Sequence, residues 1–285
     1  MNAHGFDIFD IHQHMGSTGD AHGFTIEGQV AAGDIDPDEL ACRLEFMRQA
    51  GIGRAVAIPG HNYNRADGIK STRAENDAIA RYRDATPDRF PIAVGVIEPL
   101  DQAAALDEVT RIASELDLKG VSFHTEFQGV TIDSPWMMKI LERMIDVGLV
   151  PLIHASNVVL HEALWRLAKV ARAFPEVPIV ALEPFYTFEG MQQCFFFAEL
   201  APNIIFDTAS CSVNGMMIEM AQKFGADRII FGSQFYSQKR KGVPTLHPKA
   251  RLTLDEIIGS DRLSHEDKQK ILGLNTQRIF QTISN

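Results

Sequence analysis

One pattern constrains this chain more than any other. Short apolar runs rich in β-branched residues recur eight times, and longer stretches with helical periodicity lie between them. The runs are FDIFDIHQH (6–14), RAVAIPG (54–60), RFPIAVGVIEP (89–99), KGVSFH (119–124), LVPLIHAS (149–156), PIVALEPF (178–185), NIIFDTAS (203–210) and RIIFGSQF (228–235). Strands that are apolar on both faces belong to parallel sheets covered by helices. Eight strand–helix units close into a (β/α)8 TIM barrel, typically about 250 residues long. The 285 residues therefore suit one α/β domain spanning 1–285, with two or three extra helices from Lys249 onward packed outside the barrel. A doubly wound open sheet is the rival arrangement. Neither a G-x-G-x-x-G nor a G-x-x-x-x-G-K-[ST] segment supports its nucleotide-binding forms. Helix punctuation fits the alternation: Pro37 opens one helix and Gly51 stops it, while Ser134, Pro135 and Gly148 do the same for another.

Charge narrows the partners. A net charge of -10 argues against nucleic acid or an anionic membrane surface and leaves a small-molecule substrate, with homo-oligomerisation open. Cys42, Cys194 and Cys211 are odd in number and scattered, which fits a reducing compartment better than a disulfide framework. No apolar stretch reaches the roughly 18 residues a membrane span needs, and the N-terminus lacks the features of a signal peptide. The expected location is the cytoplasm.

In a barrel of this kind, reactive groups gather where strands end. His12 and His14 end the first strand. His61 and Asn62 follow the second, Glu98 ends the third, and His124 and Glu126 end the fourth. His154, Ser156 and Asn157 end the fifth, Glu183 the sixth, Asp207 the seventh, and Ser233, Gln234 and Tyr236 the eighth. The period-2 spacing of His12 and His14 turns both imidazoles to one side of the strand, and the same alternation places Asp10 on that side. A lone H-x-H is more often just a polar strand end. With His154 across the mouth, the three imidazoles make a ligand set for one divalent ion, zinc first, manganese or iron as alternatives.

These segments resemble the amidohydrolase superfamily, in particular the branch of amidohydrolase-related hydrolases and 2-amino-3-carboxymuconate semialdehyde decarboxylase-like enzymes. FDIHQHMG is similar to the opening H-x-H motif, which implies His12 and His14 as metal ligands. GLVPLIHAS is similar to the fifth strand and implies His154 as the third. LKGVSFHTEFQGVTIDSPWMMKILE is similar to the fourth-strand segment and implies pocket roles for His124 and Gln128. ADRIIFGSQFY and ILGLNTQRIF are similar to the eighth strand and the closing helix. Two positions depart from the family pattern. Gln234 stands where the family carries a metal-binding aspartate, and Glu183 where it carries a histidine.

Glutamine cannot act as a base near neutral pH. Glu183, Asp207 or Asp10 would have to compensate, the last by orienting a ligand from behind. Each has an ordinary alternative: a salt-bridged strand end for Glu183, a helix cap for Asp207. The reading is a metal-dependent hydrolase of a small carboxylate, amide or lactone. Its catalytic residues are Glu183, His124 and Asp207, and its substrate-binding residues Gln128, Gln234 and Tyr236. A non-oxidative decarboxylase is one alternative. A metal-free or catalytically altered member, suggested by Gln234, is another. The first loop, residues 15–36, carries five glycines and reads as a lid that His22 could border. His61, the basic cluster Lys239, Arg240 and Lys241, and the cluster Phe195, Phe196 and Phe197 read as surface or packing residues.

Overall fold

The eight apolar runs form parallel strands that pair in chain order. In this computed structural model, which describes residues 5–17, 36–60, 67–211, 215–237 and 248–282, β1 is Ile8–Ser17 and β2 is Ile52–Ile58. The third stave is two short pieces, β3 (Ile92–Ala93) and β4 (Gly95–Val96). Four regular staves follow: β5 (Gly120–Phe123), β6 (Val150–His154), β7 (Ile179–Leu182) and β8 (Ile204–Asp207). The eighth is again split, into β9 (Ile229–Ile230) and β10 (Phe235–Ser237).

Regular pairing gives one sheet of order β10-β1-β2-β3 and another of order β4-β5-β6-β7-β8-β9. Backbone bonds outside the regular ladders carry the ring across both breaks. Val94 N–H donates to Ala57 O at 3.0 Å and Lys119 N–H to Ala93 O at 3.0 Å, while Ile11 N–H donates to Phe231 O at 3.0 Å. At the third stave a side chain stands in for a missing strand neighbour. Asn76 accepts from Val96 N–H at 2.8 Å and donates to Val96 O at 3.0 Å.

The apolar residues sort into two cores, as a barrel demands. Phe9, Ile11, Val56, Ile58, Val94, Val150, Leu152, Val180, Leu182, Ile205 and Ile230 fill the interior. Ile8, Ala55, Ala57, Phe123, Ile153, Ala181 and Phe206 face outward under the helices. The helix over β1 and β2, α1 (Pro37–Ala50), starts at Asp36, whose carboxylate accepts from Asp38 N–H and Glu39 N–H. It ends on Gly51 at φ 71°, as the sequence predicts. Six more helices follow the strands: α2 (Ile69–Ala85), α3 (Ala103–Ser114), α4 (Pro135–Asp146), α5 (Leu164–Ala173), α6 (Phe188–Leu200) and α7 (Met216–Phe224). Ser134 holds the cap position of α4, but its hydroxyl makes no capping bond. No helix among the described residues is long and apolar enough to cross a membrane.

The tail does more than pack outside. After α8 (Pro248–Gly259) and α9 (His265–Gln269), a π-turn over Lys270–Leu274 leads into α10 (Asn275–Thr282). Ile279 and Phe280 of α10 join the interior core and close the floor of the barrel. Thr276 Oγ1 donates to Phe9 O at 2.8 Å, and Asn275 Nδ2 donates to both Ala226 O and Ile229 O at 2.8 Å. Asn275 is 1% exposed, so neither carbonyl has water to fall back on. Asn275→Ala is expected to lower unfolding stability by about 1–3 kcal/mol, read as a reduced urea midpoint at unchanged slope.

Candidate active site

A bulge in β1 aims its two histidines. Asp10 pairs with Ala55 on β2 but Gln13 with Ala57, so three steps on one strand match two on the other. Phe9 and Ile11 face the interior below the bulge, and His12 and His14 face it above. Asp10 and Gln13 point outward. The expectation that Asp10 shares the side of the histidines is therefore wrong, because the extra residue reverses the alternation. Asp10 stitches the bulge instead: it accepts from His12 N–H at 3.0 Å and Ser233 N–H at 2.9 Å, and from Gln13 Nε2 at 2.9 Å. Burial raises the pKa of its carboxyl, against these three bonds and a fourth from the Ser233 side chain.

His12, His14 and His154 are all fully buried, and one ligand atom of each lies within 4.8 Å of the others. Their outer nitrogens fix their tautomers. His14 Nδ1 donates to Pro59 O at 2.5 Å and His154 Nδ1 to Phe123 O at 2.8 Å. A carbonyl can only accept, so the lone pair of each ring is at Nε2. His12 Nδ1 lies 2.6 Å from Asp207 Oδ2, and its Nε2 lies 2.8 Å from His14 Nε2. Lone pairs brought this close repel unless a cation is shared between them, so the pocket suits a proton or a metal ion. Burial opposes charge on His12, but the Asp207 carboxylate, with Glu183 and Asp10, outweighs it and raises the imidazole above its ordinary pKa.

Asp207 thus stands behind His12 rather than at the mouth. One oxygen holds Nδ1, and the other accepts from Ala209 N–H at 2.8 Å. The sequence-based expectation weighed Asp207 as a base in place of the eighth-strand aspartate; the fold turns its carboxylate onto the His12 ring. Gly232 makes the approach possible. A Cβ there would sit 2.0 Å from Asp207 Oδ1 and 2.8 Å from His12 Cβ.

Beside the three imidazoles lies a second titratable group. His124 stacks on His154 with centroids 4.1 Å apart. Its Nδ1 is 2.5 Å from Glu162 Oε1, and Ser156 Oγ donates to the other oxygen at 3.1 Å. Glu162 is fully buried on the short turn Leu160–Glu162. Sequence reasoning missed it, since nothing distinguishes it there from a surface glutamate beginning a helix. A ligand atom each of His124, His154 and Glu183 also cluster within 4.8 Å. Burial raises the Glu183 carboxyl above its usual range; nearby His12 and His124 oppose this, and Asp207 and Glu162 add to it.

The eighth-strand position is tied into the same wall. Ser210 Oγ bonds Gln234 Oε1 and also lies 3.3 Å from Glu183 Oε1. A hydroxyl has one proton to give. The second contact therefore takes its proton from Glu183, or from the Gln234 amide turned over. Asn157, Glu183, Ser210 and Gln234 all have φ between 55° and 58°, so four successive strand ends at the mouth adopt the left-handed region. Tyr236 stacks on His14 with centroids 4.6 Å apart and lines the pocket. Gln128 does not reach it: its amide accepts from His124 N–H at 3.1 Å and donates to Ile97 O at 2.8 Å, both within the wall. Glu98 accepts from Leu100 N–H and caps the turn that follows. His22, His61, Asn62, the basic cluster at 239–241 and most of the expected lid lie outside the described residues.

The sequence model of a family described as Amidohydrolase matches residues 10–282. Solved structures superpose over nearly the whole chain. 5-Carboxyvanillate decarboxylase from Novosphingobium aromaticivorans, complexed with manganese and 4-hydroxy-3-methoxy-5-nitrobenzoic acid, is 16% identical over 99% of this chain and 97% of its own, with a TM-score of 0.65. 2,6-Dihydroxybenzoate decarboxylase from Rhizobium is 16% identical over 97% of this chain and 99% of its own, at 0.69. 4-Oxalomesaconate hydratase from Rhodopseudomonas palustris is 18% identical over 97% and 96%, also at 0.69. At these identities the likeness is one of fold. Among curated proteins none matches the chain.

Asp207→Asn keeps the shape of the side chain but removes the charge that orients and polarises His12. It is expected to weaken Mn2+ binding about 10–100-fold, measured by isothermal titration against the wild-type protein.

Proposed function

The chain belongs to the amidohydrolase family, and we propose that it is a metal-dependent carboxy-lyase that removes carbon dioxide from a small aromatic or unsaturated carboxylic acid. The observation that carries this reading is the division of the pocket. Three imidazole lone pairs converge on one point, the His124–Glu162 pair lies beside them against His154, and Gln234 stands where the family resemblance leads one to expect an aspartate. His12, His14 and His154 would hold the metal, which when bound supplies a positive charge for the substrate's carboxylate and neighbouring oxygen.

Loss of carbon dioxide breaks one carbon–carbon bond and leaves its electron pair on the carbon that remains. That carbon then needs a proton. Glu162 holds His124 through Nδ1, which leaves Nε2 as the atom that exchanges a proton with the substrate. No water has to be deprotonated in this reaction, so it is not blocked by the lack of a basic carboxylate at Gln234. Its amide, with the Ser210 hydroxyl, can instead fix a polar group of the substrate. The Tyr236 ring beside His14 and the Phe127 ring beside His124, at 4.6 and 4.4 Å, offer flat apolar surfaces to a planar acid. The structural relatives acting as decarboxylases support the same class.

Hydrolysis is the second reading. It is favoured by Glu183, a carboxylate close to His124 and His154 that could take a proton from water. The two readings separate in labelled solvent. The Mn2+-loaded protein is expected to release carbon dioxide from hydroxybenzoates such as 2,6-dihydroxybenzoate and to place one deuterium on the vacated carbon in D2O. Incorporation of 18O from labelled water into an amide or lactone product, without carbon dioxide, overturns the lyase. His124→Asn is expected to slow turnover about 10²–10⁴-fold while metal content stays at the wild-type value.

A further inference from the structure

Arg43 is the largest fully buried side chain among the described residues, and no step considered so far uses it. It rises from α1, outside the barrel, and sends its whole fork toward the end of β1. Nε donates to Glu39 Oε1 at 3.0 Å and to the Tyr82 hydroxyl at 3.1 Å. Nη1 donates to Gln13 Oε1 at 3.3 Å. Nη2 donates to His14 O at 2.5 Å and to Glu39 Oε1 at 2.5 Å. The guanidinium also lies over the Phe235 ring, 4.9 Å from its centroid, between Gln234 and Tyr236 in the chain.

These contacts continue beyond Arg43. Gln13, held at its oxygen by Arg43, donates to Asp10, and Asp10 holds His12 N–H and Ser233 N–H. One chain of bonds therefore runs from α1 through the bulge of β1 to the eighth stave. Its end points are the backbone of His12, the backbone of His14 and the strand end that carries Gln234 and Tyr236. A buried ion pair is a poor way to gain stability, because apolar side chains of the same volume pack without the cost of removing charge from water. A guanidinium fork is a good way to fix several acceptors in one geometry. We infer that Arg43 is a positioning residue for the pocket: by holding His14 O, Gln13 and Phe235 together it keeps β1 bulged and the imidazoles of His12 and His14 turned inward as a pair.

The inference rests on the metal-binding reading and deepens it. Its test uses Mn2+ alone as the probe, on the wild-type protein, Arg43→Lys and Gln13→Leu, with thermal unfolding and a crystal structure of each. Lysine keeps the charge beside Glu39 but cannot reach Glu39, Tyr82, Gln13 and His14 O at once. Gln13→Leu leaves the Arg43–Glu39 pair and the bond to His14 O in place and removes the Arg43–Gln13–Asp10 link, so it decides the matter if the lysine variant does not fold. Mn2+ affinity is expected to fall at least about tenfold in either variant, with a cooperative transition close to wild type and a displaced His12–His14 pair. Wild-type affinity and unchanged ring positions in the folded variants overturn the role of Arg43. If the wild-type protein itself takes up no Mn2+, the metal reading fails separately. The Gln13→Leu crystal structure then still judges the inference, upheld if the His12–His14 pair moves and overturned if it stays.

Discussion

Each imidazole facing the pocket is held by its other nitrogen, and each holder belongs to a different part of the ring. Asp207 at the end of β8 holds His12, Pro59 after β2 holds His14, Phe123 on β5 holds His154, and Glu162 after β6 holds His124. No one strand builds this arrangement. It exists only because the staves close, and the first stave meets the eighth through the Ile11 N–H to Phe231 O bond, the Ser233 N–H to Asp10 bond and the pairing of β1 with β10. A local shift of one stave would change a tautomer or a ring direction, not merely a distance. The tight packing of two cores, inside and outside the barrel wall, is what prevents such a shift.

Below the pocket the barrel is apolar and sealed by α10. Above it the wall is almost wholly polar and yet almost wholly buried: His124, Gln128, Ser156, Glu183 and Ser210 are each at most 8% exposed. Their bonds are mostly to one another or to the backbone, which keeps them rigid and leaves few groups to reorganise when charge moves. The chemistry available to the site is then decided on staves six to eight, where Glu183, Ser210 and Gln234 share one hydroxyl. A carboxylate in place of Gln234 would face Glu183 across that hydroxyl, and two like charges there would repel. The departures at 183 and 234 are therefore best understood as a pair.

Much of this was legible in the sequence. The eight apolar runs locate all eight staves, because continuous burial leaves a continuous apolar signature. His12, His14 and His154 do lie together. What was not legible depends on pairing between distant segments. The bulge in β1 is defined only against β2, so the alternation rule placed Asp10 on the wrong face. Asp207 read as a base or a cap, and its carboxylate turns instead to an imidazole 195 residues away. Glu162 and Arg43 look like the charged residues of any surface helix; only the fold shows both as fully buried. Gln128 was placed in the pocket by resemblance, and its amide is spent inside the wall.

The left-handed backbone at Asn157, Glu183, Ser210 and Gln234 has a consequence of its own. Glycine would relax each of these positions, since side chains other than glycine pay of order 1 kcal/mol or more to sit there. The rim is thus a place where the most stable residue and the most useful one differ. Were the pocket to lose its purpose in some lineage, drift toward glycine at these four sites would be opposed only by their own side-chain hydrogen bonds and not by the backbone, and the floor under α10 would be unaffected. Side chains kept at such positions mark the upper end of the barrel as the part held against stability rather than by it.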